Sequence, residues 1–198
     1  MNQIITIARE FGSGGREFGR RLAEELGYEY YDKEIITEIA KKTELSENYI
    51  QQIIEKKPHR LFPITVGQSF AYAGEYGNDL LIKVFNAQCE ILKDLAEKSN
   101  CVIVGRCADY ILSDYHPFKI FVYSSFDSKV KRCVSRNSDN LSESVIKKSI
   151  KRIDKDRSKY YEFYTGNKWG VKENYDLCLN TTNVDIKKLV EIVAQLFK

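Results

Sequence analysis

Ile4-Ile5-Thr6-Ile7-Ala8 runs straight into Arg9-Glu10-Phe11-Gly12-Ser13-Gly14-Gly15-Arg16-Glu17-Phe18-Gly19 and then into Arg20-Arg21-Leu22-Ala23-Glu24-Glu25-Leu26. The first segment has the apolar, β-branched character of a buried strand, the last has helical spacing, and the glycines lie between them. Bare backbone at such a junction lets several N–H groups point at one anion, while the helix adds its unpaired amides and positive end. The stretch therefore predicts a phosphate cradle made by Gly12, Ser13, Gly14, Gly15, Arg16, Glu17 and Phe18, with nucleotide phosphate as its guest. A side chain at Gly14 is expected to push into the anion's space. The plainer reading is an ordinary turn, but glycines this dense have little packing use.

The loop departs from the G-x-x-x-x-G-K-[ST] pattern. Aligned on Gly15-Arg16, Glu10 stands where a glycine belongs, Arg16 where a lysine belongs, and Glu17 where a hydroxyl belongs. Arg16 can meet phosphate oxygens with a planar fork in place of a point charge, whereas Glu17 cannot be the hydroxyl that normally holds magnesium. The metal then needs another carboxylate or more water ligands, and the sequence assigns it none. A dinucleotide loop competes with this reading: Gly12-Ser13-Gly14 opens a G-x-G-x-x-G count, with Asp32 at the distance of the ribose-binding acid. Its third glycine is missing, since Glu17 stands there.

With 198 residues, 43% of them hydrophobic, the chain can bury one substantial core, and one domain with insertions is expected. The 31 basic and 28 acidic side chains nearly balance, which speaks against a nucleic-acid coat or an acidic tail. Cys89, Cys101, Cys107, Cys133 and Cys178 are odd in number and lack C-x-x-C spacing, as reduced core thiols would be. The start Met1-Asn2-Gln3-Ile4 has neither a charged leader nor a long apolar run, and no stretch approaches the ~18 apolar residues of a membrane span. A soluble, cytoplasmic protein that is not exported is the expectation.

Further along, Tyr28–Tyr31 reads as a short strand, Lys33–Lys42 as a helix, and Ser46 as the cap of another helix running to Glu55. Prolines and glycines then punctuate a region of weak periodicity between Lys57 and Asn78, expected to be a mobile insertion. Periodicity returns with Leu81, Val84, Phe85, Ile91, Leu92 and Leu95 on one long helix. The strands Cys101–Val104, Lys119–Tyr123 and Asp176–Asn180 follow, with helices at Asp127–Arg136, around Ile146–Tyr161, and at the C-terminal end to Phe197. Apolar strands alternating with helices predict an α/β fold, a parallel sheet covered on both faces.

Ligands of such sheets sit beyond the carboxyl ends of the strands, where Asp32 and Arg106 fall together with the cradle. Asp32 alone could merely cap a helix, and Arg106 alone could be a surface charge. In the late helix, Ile146, Ile150 and Ile153 form an apolar stripe that Arg157 continues, within a local surplus of basic residues. Either this is a solvated helix laced with ion pairs, or a lid whose guanidinium groups close over transferring phosphates.

The glycine loop, Tyr30-Tyr31-Asp32-Lys33-Glu34, Val104-Gly105-Arg106-Cys107-Ala108-Asp109-Tyr110, Ile153-Asp154-Lys155-Asp156-Arg157 with Tyr160-Tyr161, and Asn174-Tyr175-Asp176-Leu177-Cys178-Leu179-Asn180 together resemble the bacterial cytidylate kinase-like family. The resemblance runs nearly the whole chain and displaces the dinucleotide reading. It implies the P-loop nucleoside monophosphate kinase fold: a five-stranded parallel sheet with helices on both faces, an NMP-binding insertion at about 45–80 and a helical lid at about 142–172 within one domain. It further implies ATP and magnesium as cofactors and small nucleotides as partners, with phosphoryl transfer to CMP or dCMP. By the same resemblance Arg16 takes the lysine role and Asp32 the acid near acceptor phosphate and metal. Gly105-Arg106 looks like the pair that holds the monophosphate. Asp154 and Arg157 match the lid's spaced Asp and Arg, with Arg152 and Lys155 as neighbours; Arg16, Asp32 and Arg157 are the expected catalytic groups. Cytidylate kinases carry an acid after the Gly-Arg, where this chain has Cys107. The competing readings are a nucleotide sensor without turnover and a kinase of another small acceptor.

Overall fold

In a computed structural model, residues 2–55, 75–137 and 140–198 are described, with backbone alone at 52–55 and 75–78. The apolar runs form β1 (Ile4–Arg9), β2 (Glu29–Tyr31), β3 (Cys101–Val104), β4 (Phe118–Tyr123) and β5 (Leu177–Asn180). They pair in the order β2-β3-β1-β4-β5, parallel throughout, with Ile4 opposite Cys101 and Arg9 opposite Val122. Because all five strands point the same way, the chain segments after residues 9, 31, 104, 123 and 180 emerge at one edge. The expected five-stranded parallel sheet is present.

The helices are α1 (Gly15–Leu26), α2 (Glu34–Thr43), α3 (Glu47–Glu55), α4 (Glu75–Lys98), α5 (Ala108–Ile111), α6 (Phe126–Ser135), α7 (Glu143–Thr165) and α8 (Ile186–Ala194). Period-two alternation along the strands explains why both faces need cover. Ile5, Ile7, Val102 and Val104 pack with Phe18 and Leu22 of α1 and Val190 and Val193 of α8. Ile4, Cys101 and Ile103 face the other way, onto Ile35 and Ile39 of α2, Val84 and Leu92 of α4 and Tyr160 and Tyr161 of α7. Gly19 lets α1 approach the sheet: a Cβ there would lie 2.8 Å from Ile7 Cδ1 and 2.9 Å from Val104 Cγ2.

α4 begins at Glu75, earlier than the periodicity of its apolar residues suggested. Of the expected insertion, α3 and the start of α4 are seen, while 56–74 lie outside the described residues. α7 spans 23 residues, beginning after Ser142 and ending at Gly166 in a left-handed cap with φ of 70°. Among the described residues no helix is long and apolar enough to cross a membrane.

Candidate active site

The loop between β1 and α1 is shaped from within and braced from outside. Gly12 and Gly14 have φ of 77° and 85°, a backbone region that costs side chains. The Ser13 hydroxyl donates to the Glu10 carbonyl at 2.8 Å, and the Thr181 hydroxyl after β5 donates to the Ser13 carbonyl at 2.6 Å. From α6, Arg132 donates to the Gly12 carbonyl at 2.7 Å and to the Thr181 carbonyl at 3.2 Å.

Each charge that replaces a standard loop residue has found an opposite charge. Glu10 receives the Lys129 ammonium of α6 at 3.0 Å, and the same ammonium lies 2.9 Å from Asp154 of α7. Burial opposes the charged form of Lys129, but its hydrogen bonds to Asp154 and Glu10 prevail and raise its pKa. Arg16 places Nε 2.6 Å from Asp32 Oδ2. Glu17 is bonded by Arg21 at 3.0 Å and by Arg136. Its burial works against ionisation, yet the two arginines outweigh it and hold the carboxyl below its ordinary value.

Asp32, at the end of β2, is 3% exposed and lies between two guanidinium groups, Arg16 and, at 3.8 Å, Arg9. Burial lowers the pKa of Arg9, Arg157 lowers it further, and Asp32 works the other way. The Arg9 guanidinium covers Gly105, where a Cβ would sit 1.9 Å from Nη1. Beyond it Gly105, Arg106 and Cys107 all have positive φ, at 79°, 62° and 53°. For the two non-glycine residues this costs roughly 1–2 kcal/mol each, which the surrounding contacts must offset. Arg157 of α7 donates to the Arg9 carbonyl at 3.1 Å and lies over the Phe11 ring at 5.7 Å.

Besides an open cleft of about 510 Å³ in which Asp32 meets Arg16, Glu17 and Arg136, two clefts open at this edge. One, of about 460 Å³, runs between the glycine loop, Arg132 of α6 with Arg136 just beyond its end, and Ile146 and Ser149 of α7. The other, of about 670 Å³, is lined by Lys33 and Thr37, Glu47 and Gln51, Arg106 and Asp109, and Tyr160, Tyr161 and Trp169. Arg9, Phe11, Arg16, Arg152, Ile153 and Arg157 border both. Four guanidinium groups therefore stand where the two clefts meet.

Gly12, Gly14, Gly15, Arg16 and Glu17 border the first cleft. Other expected site residues are placed differently. Phe18 is fully buried beside Leu22, so its side chain serves the core; Ser13 is also fully buried, its hydroxyl spent on the turn. Asp154 accepts from the Phe11 N–H at 2.6 Å and from Lys129, which makes it a tie between α7 and the loop. Lys155 is exposed and borders neither cleft. At Gly14 a Cβ would meet Ile186 Cδ1 at 2.5 Å, on the α8 side, so the expectation of a side chain in the anion's space gives way to one of packing and positive φ. Gly14→Val is accordingly expected to lower the stability of the nucleotide-free protein by roughly 2 kcal/mol, measured by urea unfolding; unchanged stability with lost nucleotide binding would restore the earlier account.

Sequence reasoning also missed Arg9, Lys129, Arg132 and Asp109. Two residues beyond Cys107, Asp109 is buried at the second cleft and accepts from the Tyr161 hydroxyl at 2.6 Å. Burial raises its pKa, against the pull of that hydrogen bond. Lys129 carried a signal, a charge between Phe126, Val130 and Cys133 on the inner face of α6.

Among the described residues no three His, Cys, Asp or Glu side chains converge as a metal cage. Asp32 Oδ1 is buried without a hydrogen-bond partner. One such oxygen suits magnesium, which is commonly held by one or two carboxylates with waters and substrate phosphates completing its shell.

A parallel sheet with a glycine loop after its central strand and two clefts joined by arginines defines a P-loop kinase. The pattern of the cytidylate kinase-like family matches residues 4–183, and the chain belongs to that family. It is similar to a cytidylate kinase of Saccharolobus islandicus, 22% identical over 96% of this chain and 88% of that one. Among solved structures it is similar to an uncharacterized protein from Eubacterium ventriosum, with TM-score 0.72, 28% identity and 98% of both chains covered. The shikimate kinase from Acinetobacter baumannii in complex with shikimate shares the fold, with TM-score 0.55 and 18% identity over 100% of this chain and 93% of that one.

Proposed function

We propose that the protein transfers the γ-phosphoryl group of ATP to a nucleoside monophosphate, with CMP or dCMP as the acceptor. The observation that carries this reading is the meeting of the two clefts at Arg9, Arg16, Arg152 and Arg157, with Arg106 on the acceptor side. Phosphoryl transfer demands alignment and charge stabilisation more than covalent chemistry. Two polyanions brought end to end need such a density of guanidinium groups between them. The relatives named cytidylate kinase supply the base.

In this reading the glycine loop and α1 hold the ATP phosphates in the smaller cleft, and Arg106 with Arg9 holds the acceptor phosphate in the larger. An oxygen of the acceptor phosphate bonds to the γ-phosphorus as the bond from that phosphorus to the β,γ-bridging oxygen breaks. ADP and the nucleoside diphosphate leave. Arg157 and Arg152, reaching from α7, and Arg16 stabilise the charge on the equatorial oxygens. Asp32 is the residue that would hold magnesium, which when bound neutralises charge between the phosphates. For this to happen Arg16 exchanges Asp32 for phosphate.

An ADP-release screen over nucleoside monophosphates tests the assignment, with ATP and magnesium present. The expected result is turnover with CMP or dCMP at least tenfold above that with the other monophosphates, and an upward shift of Tm with ATP by linkage. No ADP release with any monophosphate would sink the nucleoside monophosphate kinase reading, and turnover with unphosphorylated acceptors instead would move the kinase to another substrate class. A sensor is the second reading, favoured by Glu17, whose ion pairs with Arg21 and Arg136 close the position of the missing hydroxyl.

A further inference from the structure

Gln88 has no place in the reaction just described, yet it is fully buried on α4, in line with the apolar residues Val84, Phe85, Ile91 and Leu92. Burying an amide among apolar neighbours costs stability unless both of its ends are bonded. Here both are. Nε2 donates to the Arg106 carbonyl at 2.9 Å, and the Tyr160 hydroxyl donates to Oε1 across 3.4 Å. The orientation follows from chemistry: a carbonyl accepts only, so the NH2 end must face Arg106. Burial pushes the Tyr160 pKa far up, which keeps its hydroxyl a donor.

The bond falls on the most unusual backbone of the acceptor cleft. Arg106 lies in the middle of three successive positive-φ residues, and such a conformation persists only where its surroundings over-determine it. The Gly105 N–H donates to the Ile7 carbonyl at 2.9 Å and the Ala108 N–H to the Gly105 carbonyl at 3.1 Å, which fixes the segment on either side. Gln88 fixes the middle. The amide is itself clamped, since the Phe85 and Tyr164 rings stack at 4.1 Å and the Tyr160 and Tyr164 rings lie 4.7 Å apart, locking α4 to α7 one turn from the hydrogen bonds. Tyr160 in turn follows Arg157 by three residues on α7.

We infer that Gln88, oriented by Tyr160, is a positioning residue that presents the Arg106 guanidinium to the anionic group of the acceptor. The inference rests on the proposed kinase reaction for its substrate, though not for its geometry. It links the phosphate-holding arginine to α7 through one side-chain amide, so the helix bearing Arg157 and the loop bearing Arg106 are set relative to each other.

Gln88→Met keeps length and apolar contact and removes the donor. The expected result is an acceptor KM raised about tenfold, with kcat and the KM for ATP within twofold of wild type. In an Arg106→Ala background the same change should add less than twofold, because its effect is already gone. Tyr160→Phe, which leaves the amide in place but frees its other end, should move the acceptor KM the same way by a smaller factor, and it stands in if Gln88→Met does not fold. An unchanged acceptor KM in an active enzyme, or a full effect of Gln88→Met without Arg106, overturns the inference and leaves Gln88 a packing residue. Affinity for inorganic phosphate, measured by calorimetry, provides a readout that survives failure of the kinase reading. It should weaken severalfold in Gln88→Met, and Gln88→Met should weaken it no further in an Arg106→Ala background. Equal phosphate affinity in wild type and Gln88→Met, or none in wild type, overturns the inference on that arm as well.

Discussion

Asp32→Asn is expected to lower kcat by about three orders of magnitude while ATP affinity stays within a few fold. The substitution keeps the shape of the side chain and removes its charge. That charge stands between Arg16 at 2.6 Å and Arg9 at 3.8 Å, in a position 3% exposed. Without it Arg16 loses its tether, and the oxygen proposed for magnesium becomes a neutral amide oxygen. Arg9 also loses the carboxylate that offsets the repulsion of Arg157, Arg106 and Arg16. Removing the carboxylate leaves the largely buried Arg9 guanidinium without its opposite charge, so Tm falls too, and the kinetics must be taken well below the variant's Tm. Steady-state rates with a saturating monophosphate, together with calorimetric ATP binding, separate the two effects. A kcat within tenfold of wild type would remove Asp32 from the chemistry and leave it a partner of the arginines.

Arg157→Ala is expected to cost about 10² to 10³ in kcat, with little change in ATP affinity. Arg157 borders both clefts, and its Nη1 is held on the Arg9 carbonyl at 3.1 Å while Asp154 lies 4.0 Å away. In the proposed reaction a guanidinium so held, at the meeting of two polyanions, would act chiefly on charge that develops during transfer, which is why kcat and not binding should respond. Arg157→Lys keeps the charge and loses the fork, and should recover part of the rate. Single-turnover phosphoryl transfer measures the step directly. A sensor would give the opposite pattern, with no ADP released by wild type and Arg157→Ala altering nucleotide affinity alone.

The long-range organisation was legible because the sheet is buried on both faces. Ile4–Ala8, Cys101–Val104 and Lys119–Tyr123 are apolar runs too short for helices and punctuated by turn residues, and the structure makes each of them a strand. The glycine loop announced itself by spacing, and the polar residues after β2 and β3 by where a parallel sheet must deliver them. The ends of α2, α3 and α6 were legible to within a residue or so, with Ser46 standing just before α3, whereas α4 starts six residues before its first periodic apolar residue, Leu81. α5 was not legible, being a four-residue helix whose local pattern is too short to show a period.

The partners of the loop could not be read in the same way. Glu10 with Lys129, Phe11 with Asp154 and Arg106 with Gln88 are separated by 119, 143 and 18 residues, and nothing local tells a side chain which distant charge it will meet. Gln88 and Lys129 did leave a trace, as polar residues at helical spacing on apolar faces, but the trace says that a partner exists and not which one.

By itself, then, the sequence determined the alternation of strand and helix, the glycine cradle and the edge at which its polar residues collect, because these depend on periodicity and on backbone conformation residue by residue. The tertiary structure alone decided that Phe18 and Ser13 turn inward, that Asp154 ties α7 to the loop, that Arg9 covers Gly105 and that four guanidinium groups stand between two clefts. Those outcomes depend on the order in which strands pair and on which helix faces then meet. Charges brought within 3 or 4 Å of each other in a poorly hydrated interior are coupled far more strongly there than their separation along the chain would suggest.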